Sequence, residues 1–170
     1  MVDLVARRHA LPGWKRRGNR LETSGTVAGE PVVLLKPLTY MNRSGEALAA
    51  RGREEPFEPG ELLVCYDEIA LPLGRLRLRP GGTDAGHNGM RSLIARLGTG
   101  EFPRLRVGIA PADEDGQAVQ VPDGADFVLS PFKKSERPVI EEAIERAADA
   151  VECAVGEGLT PAMNRFNVPS

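Results

Sequence analysis

The chain contains few residues of several chemically informative types. Its two cysteines, Cys65 and Cys153, are far apart and form neither a CxxC pair nor a disulfide framework, so we expect two reduced thiols. Its two histidines, His9 and His87, lie in unrelated contexts, so we expect no metal site. No apolar run approaches the roughly 20 residues that cross a bilayer, and the first residues lack a signal-peptide core. These features predict a cytoplasmic protein that does not contact a membrane.

The length and composition are typical of one globular domain. Of the 170 residues, 41% are hydrophobic and 27% are charged, which argues against disorder across the chain. The sequence contains no internal repeat and no linker. We therefore predict a single domain that spans residues 1–170.

The net charge of −2 conceals a segregation of charge along the chain. Residues 1–20 carry six basic side chains and one acid, and residues 75–106 carry seven arginines and two acids. Arginine accounts for 18 of the 22 basic residues, and its planar fork can hold a phosphate at two points. Two interpretations stay open, a solvated surface with an arginine bias or a basic face for a polyanion.

The hydrophobic periodicity predicts alternating helices and strands. Helices are expected at 2–11, 46–53, 87–97 and between positions 135 and 158, and strands at 21–27, 31–36, 61–66, 76–79, 105–109 and 126–129. The acid- and glycine-rich stretch 111–123 is expected to be a mobile excursion. The order of elements predicts an α/β fold, a three-layer sandwich in which helices flank a mixed, largely parallel central sheet. The hairpin at 21–36 supplies the antiparallel part.

Three loops carry side chains that can perform chemistry. The first follows the strand at 31–36 and precedes a helix with Ser44 as its expected N-cap, the second follows the strand at 61–66, and the third opens the helix at 87–97. Their side chains are Tyr40, Met41 and Asn42, then Asp67, then His87 and Asn88. In α/β proteins, loops that follow strands commonly hold the functional site.

These residue types match the hydrolysis of an ester carried by a nucleic acid. An amide can hold a carbonyl or an oxyanion, and a carboxylate can fix the tautomer of an imidazole. Arg77, Arg79, Arg104 and Arg106 lie close in the sequence for a phosphate. The glycine-rich loop GGTDAGHNG fits neither a P-loop nor a dinucleotide fingerprint, which argues against nucleotide hydrolysis.

Four motifs closely resemble the bacterial-type peptidyl-tRNA hydrolase family. They are KPLTYMNRSG at 36–45, DEIALPLGRLRLRPGGTDAGHNG at 67–89, LGTGEFPRLRVGIAP at 97–111 and GADFVLSPF at 124–132. The resemblance runs from the first helix to the last. It implies a single-domain, monomeric α/β sandwich that cleaves the ester joining a peptide to the 3′ ribose of tRNA. This reaction recycles tRNA after aborted translation, with water as the nucleophile and without metal or cofactor.

Motif matching implies a role for each residue of the first and third loops. Tyr40, Asn42 and Asn88 would contact the substrate or the tRNA end, and Met41 would line the peptide groove. His87 belongs to the family's HNG motif and would lie beside the substrate-holding Asn88.

The same matching implies roles in the second loop and on two strands. Asp67 would stabilise the basic form of the catalytic histidine. Arg79 and Arg106 match the family's basic clamp for the 5′ phosphate of tRNA. Ala70 stands where the family often has a second aspartate, so one minor contact is not expected here.

The beginning of the chain departs from the family pattern. MVDLVARRH at 1–9 matches only the family's first helix, so the opening strand, a GLGNPG-like loop and the catalytic histidine would lie upstream of Met1. His9 lies inside the predicted helix and His87 matches a different motif, so neither replaces that histidine. Two hypotheses follow. The natural protein is a longer, active hydrolase, or the chain is a short paralogue that binds RNA without hydrolysis.

Overall fold

The computed structural model describes residues 1–121 and 124–168. The chain divides into two compact units, each with its own sheet and helices. The amino-terminal unit comprises Val2–Leu63 and Arg79–Pro103. The carboxy-terminal unit comprises Met1, Val64–Leu78 and Arg104–Ser170.

The amino-terminal unit is built from an antiparallel sheet and three α-helices. Its elements are α1 (Val2–Arg8), β1 (Lys15–Arg17), β2 (Arg20–Val27), β3 (Glu30–Pro37), a 3₁₀ helix (Met41–Arg43), α2 (Ser44–Glu54), a second 3₁₀ helix (Pro59–Glu61) and α3 (Asn88–Leu97). The sheet order is β1-β2-β3, and both pairs are antiparallel. The predicted hairpin is confirmed. Strand β1 was not predicted, because its three exposed basic residues carry no hydrophobic pattern.

A buried arginine connects the sheet of this unit to α2. Arg20 is 2% exposed, and its guanidinium donates to Glu22 at 2.6 Å and to Glu54 at 2.5 Å. Glu22 neighbours Arg20 on β2, whereas Glu54 is the last residue of α2. The hydrogen bonds compensate the burial of the charge and fix the end of α2 against β2.

The carboxy-terminal unit contains the second sheet. Its elements are β4 (Val64–Pro72), β5 (Leu76–Arg79, whose last residue is counted with the other unit), β6 (Arg104–Ala110), α4 (Gly124–Leu129), α5 (Arg137–Gly156) and α6 (Leu159–Phe166). Strand β6 lies between β4 and β5, and it is parallel to β4. Leu76 and Leu78 are fully buried whereas Arg79 is exposed, which confirms the predicted alternation of β5.

Helix α5 covers this sheet with an alanine-rich face. Ala143, Ala147 and Ala150 are buried, and the helix packs against β6. Small side chains permit a close approach of helix and sheet, as the sequence predicted. The helix begins at Arg137 with Pro138 in its first turn, and its N-cap is Glu136 rather than a serine.

Three predictions about the strands are corrected. The described residues form an α/β protein with two three-stranded sheets instead of one central sheet. Residues 126–129, predicted as a strand, belong to α4, because a short apolar run fits either period. The apolar run of β3 predicted a strand covered on both faces, yet Val33 is 43% exposed. Hydrophobic runs locate strands but do not specify their neighbours.

The stretch predicted as an excursion lies partly outside the described residues, at 122 and 123. Within its described part, Ala112 and Ala118 form an isolated antiparallel bridge. None of the helices in the described ranges is long and apolar enough to cross a membrane.

Candidate active site

The first candidate loop folds into the turn that starts α2. The chain leaves β3 at Pro37, and Met41 to Arg43 form a 3₁₀ helix that continues into α2. The hydroxyl of Ser44 donates to the carbonyl oxygen of Met41 at 2.9 Å. Ser44 therefore lies inside the first turn of α2 instead of capping it, which corrects the sequence prediction. The bond closes the turn that carries Asn42.

Close packing between α2 and α3 brings the first and third loops together. The backbone N–H of Gly45 donates to the Ser92 hydroxyl at 3.0 Å, and a Cβ at position 45 would overlap the backbone of Ser92. Only glycine permits this approach. As a result, Asn42 and Asn88 line the same shallow groove, which has a volume of about 430 Å³.

His87 fixes the start of α3 from its N-cap position. Its Nδ1 accepts a hydrogen bond from the backbone N–H of Met90 at 3.1 Å, so this nitrogen carries no proton. The side-chain cap satisfies one of the free N–H groups at the helix start. His87 thus orients the turn that presents Asn88. At the other end of α3, Gly98 has a left-handed backbone conformation, which confirms the predicted helix end.

Met41 lies against the first turn of α3. A Cβ at Gly89 would lie 2.6 Å from the Met41 sulfur and 2.9 Å from Cε1 of His87, so the absence of a side chain makes this contact possible. Tyr40 and Met41 remain 82% and 54% exposed. An aromatic ring and a thioether therefore form an accessible apolar surface next to the two side-chain amides.

Asp67 belongs to the carboxy-terminal unit and lies within β4. The sequence predicted that the strand ends at Tyr66, but β4 continues to Pro72, and Asp67 pairs in register with Val107 of β6. The strand continues because Glu68 still pairs with Gly108, with a shift in register before Pro72. Asp67 is half-buried.

Arg106 forms a largely buried ion pair with Glu68 in the same unit. Its Nη1 lies 3.0 Å from Oε2 of Glu68, and the two side chains are 17% and 7% exposed. Oε1 of Glu68 accepts from the backbone N–H of Ala70 at 3.0 Å. The carboxylate is thus held at both oxygens, and it restricts the orientation of Arg106.

The same ion pair lies near Tyr66. Tyr66 pairs in register with Arg106, and burial raises the pKa of its phenol although the positive charges of Arg106 and Arg104 oppose the shift. Glu68 was not predicted from the sequence as a partner of Arg106. Glu68 lies two residues after Tyr66, so both side chains lie on one face of β4. The pairing of β4 with β6 is also needed to recognise Glu68 as the partner of Arg106.

In the described part of the chain, neither the cysteines nor a cluster of acids forms a second reactive centre. Cys65 and Cys153 are free, and burial raises the pKa of the Cys65 thiol to about 12. Burial also raises the pKa of Cys153. Within the described ranges, no group of three or more His, Cys, Asp or Glu side chains could hold a metal ion.

The fold and the site define a class of protein. The amino-terminal unit presents two side-chain amides in one groove beside an exposed aromatic ring, and arginines of α3 line the same groove. Such a site fits a protein that acts on a carbonyl compound linked to phosphate.

Comparison with known proteins identifies the family. The chain matches the family described as Peptidyl-tRNA hydrolase over residues 1–170. It is 48% identical over 167 residues to a peptidyl-tRNA hydrolase of Chloroflexus aggregans, and the aligned region covers 98% of this chain and 86% of the relative. It is 42% identical over 169 residues to one of Symbiobacterium thermophilum, with the same coverage. A crystal structure of peptidyl-tRNA hydrolase from Acinetobacter baumannii superposes with a TM-score of 0.85 at 29% identity and covers 98% of this chain and 82% of that one. The chain belongs to the peptidyl-tRNA hydrolase family, whose members are carboxylic ester hydrolases with a role in translation.

Proposed function

We propose that this chain hydrolyses the ester bond between peptide and tRNA in peptidyl-tRNA and so recycles tRNA after aborted translation. Its place in the peptidyl-tRNA hydrolase family supports this reaction. The observation that carries the proposal is the joint lining of one groove by Asn42 and Asn88. Two amides at one point can hold a carbonyl oxygen and a ribose hydroxyl at the same time.

The residues around the two amides take the substrate-binding roles. An amide N–H that donates to the ester carbonyl stabilises the negative charge that develops on this oxygen during attack by water. Tyr40 offers a ring face for the tRNA end, and Met41 lines the path of the peptide. His87 holds the turn that carries Asn88 through its bond to the N–H of Met90.

Asp67 takes the role of orienting the catalytic histidine. A carboxylate that accepts from one imidazole nitrogen leaves the other nitrogen free to remove a proton from water. His87 is already engaged as a helix cap, and His9 follows α1. We propose that neither is this general base, in agreement with their positions in the family motifs. Water is the nucleophile, without a metal or other cofactor.

Arg79 and Arg106 take the role of contacting the 5′ phosphate of tRNA. Arg79 is exposed, and the guanidinium of Arg106 is held at one end by Glu68. The planar fork of arginine binds phosphate oxygens in pairs.

We also propose the domain organisation, the oligomeric state and the cellular location of the protein. We expect a cytoplasmic monomer in which residues 1–170 act as one domain. A single cooperative unfolding transition, observed together by circular dichroism and tryptophan fluorescence, would support one domain. Two separate transitions would contradict it.

The reaction can be tested with N-acetyl-aminoacyl-tRNA labelled in the amino acid. The 170-residue chain and a form extended upstream in frame are both assayed for release of the label. Asn42→Ala and Asn88→Ala should lower turnover, whereas Asn164→Ala, an exposed residue of α6, serves as the matched control. Tight binding of tRNA without turnover by either form would instead identify an RNA-binding paralogue.

A further inference from the structure

A second pocket of the amino-terminal unit shares no lining residue with the groove of the two amides. It has a volume of about 380 Å³ and is lined by the antiparallel sheet and by the carboxyl end of α2. One wall carries Lys15 and Arg17 of β1, and the other carries Arg51, Glu54 and Glu55. The volume is within the range of small-molecule sites, roughly 300 to 1,000 Å³.

The wall formed by β1 carries two cations on one face of the sheet. Lys15 pairs in register with Glu22, and Arg17 pairs with Arg20. Because the two cations are two residues apart, they lie on the same face, about 7 Å from each other along the strand. Both are exposed, and neither side chain forms a hydrogen bond or an ion pair with a residue that the structure describes. Their charges are therefore available to a ligand.

Arg17 lies opposite a cation that already has its own acids. Arg20 donates to Glu22 and to Glu54, and these two carboxylates compensate the buried guanidinium. The hydrogen bond from Arg20 is the largest cause of the lowered pKa of Glu54, and the charge of Arg17 contributes less. Like charges directly opposite each other destabilise a sheet. The position of Arg17 thus favours an anion from outside the chain.

The wall formed by the end of α2 offers hydrogen-bond acceptors. Arg51 donates to the carboxylate of Glu55 at 2.7 Å, and its Nε lies 3.6 Å from Glu22. The side chains of Glu54 and Glu55 are nevertheless 60% and 74% exposed, so their remaining lone pairs can accept from a ligand. Hydroxyl groups suit this wall, whereas a second anionic group would be repelled by it.

We propose that this pocket binds a small sugar phosphate, with the phosphate at Lys15 and Arg17 and the sugar hydroxyls at Glu54 and Glu55. A phosphate monoester carries a charge of about −1.5 to −2 at pH 7 and matches two cations, whereas a carboxylate supplies only one charge. The backbone of an RNA would place further phosphates against the two carboxylates. The site does not depend on the proposed function, because none of these four residues lines the amide groove.

The direct test measures binding of ribose 5-phosphate to the full chain by isothermal titration calorimetry. Lys15→Gln and Arg17→Gln should each weaken binding about threefold to fivefold, the effect of one exposed ion pair. Arg16→Gln is the matched control, because Arg16 lies between them on the opposite face of β1 and donates to the carbonyl oxygen of Gly18. Its affinity should equal that of the unmodified chain. Absence of binding, or equal weakening in all three variants, would overturn the proposal.

The contribution of the sugar is tested with inorganic phosphate as a second probe. Inorganic phosphate should bind more weakly than ribose 5-phosphate, because it does not reach the wall of α2. Glu55→Ala should weaken binding of ribose 5-phosphate about twofold to threefold and should not weaken binding of inorganic phosphate. Equal affinities of the unmodified chain for the two probes would overturn the assignment of the sugar.

Two further measurements separate this pocket from RNA binding. Asn42→Ala should bind ribose 5-phosphate as well as the unmodified chain does, and a loss of binding would place the ligand in the amide groove and overturn the proposal. A single-stranded RNA with a 5′ hydroxyl is titrated by fluorescence anisotropy. If Lys15→Gln and Arg17→Gln weaken binding of this RNA but not of ribose 5-phosphate, the basic wall belongs to an RNA site and the proposal is wrong. Thermal denaturation verifies that the variants are folded, and Arg17→Gln should be at least as stable as the unmodified chain, because the like charge opposite Arg20 is removed.

Discussion

Gly45 and Ser92 are in direct contact, and this contact joins the two helices of the candidate site. The N–H of Gly45 donates to the Ser92 hydroxyl at 3.0 Å, and no Cβ fits between the two backbones. We therefore predict that Gly45→Ala forces α2 and α3 apart and destabilises the protein by about 2 kcal/mol, the usual cost of overpacking. Urea denaturation measures the loss. Gly60→Ala is the control, because a Cβ at this position meets no neighbour, and it should be close to neutral.

The cap formed by His87 can be tested by two replacements. His87→Ala removes the acceptor for the Met90 N–H and should cost about 1 kcal/mol, with weaker RNA binding because Asn88 is less well held. His87→Asn restores an acceptor at the N-cap and should recover most of this stability. Thermal denaturation followed by circular dichroism measures both. Equal losses in the two variants would argue against capping as the role of His87.

The ion pair between Glu68 and Arg106 should be strongly coupled. Glu68→Leu leaves a largely buried guanidinium without its carboxylate and should cost about 3 kcal/mol, and Arg106→Met should have a similar effect. The double variant removes both charges and should be more stable than the sum of the single losses predicts. A double-mutant cycle in urea measures the coupling. Additive losses would show that the contact is weak in solution.

Asp67→Asn tests the proposed orienting role of Asp67. The amide has nearly the same shape but carries no charge and can donate in place of accepting, so it should leave the histidine in the wrong tautomer. We expect a fall in kcat of at least about 100-fold in the form of the protein that turns over, with little change in RNA affinity. Single-turnover kinetics and anisotropy measure the two quantities. A loss of RNA affinity with unchanged kcat would assign Asp67 to binding instead.

Burial of Cys65 makes stability sensitive to alkaline pH. Because the pKa of Cys65 is raised from 9.0 to about 12 in the folded protein, the unfolded chain loses this proton first as the pH rises. The contribution of the Cys65 thiol to the free energy of unfolding is complete below pH 9.0 and is lost as the pH approaches about 12. Cys65→Val should abolish that part of the pH dependence. In the folded protein at pH 8, we expect little reaction of the thiols with Ellman's reagent, and complete reaction in urea.

Part of the fold followed from local patterns. The spacing of Met90, Leu93 and Leu97 and the glycine at 98 predicted α3, and the alternation of Leu and Arg predicted β5. Both signals are strong because the buried face of each element differs clearly from its exposed face. The helix α6 was missed, because Gly158 was interpreted only as the end of α5, although it is also the N-cap of α6.

The amino-acid sequence by itself determined the family and the chemical groups available, since the four long motifs and their residue types can be recognised without coordinates. Only the tertiary structure showed that Asn42 and Asn88 share a groove, that Gly45 permits it, and that Glu68 holds Arg106. These relationships join residues that are distant in the chain. They depend on helix packing and on strand register, which periodicity does not encode.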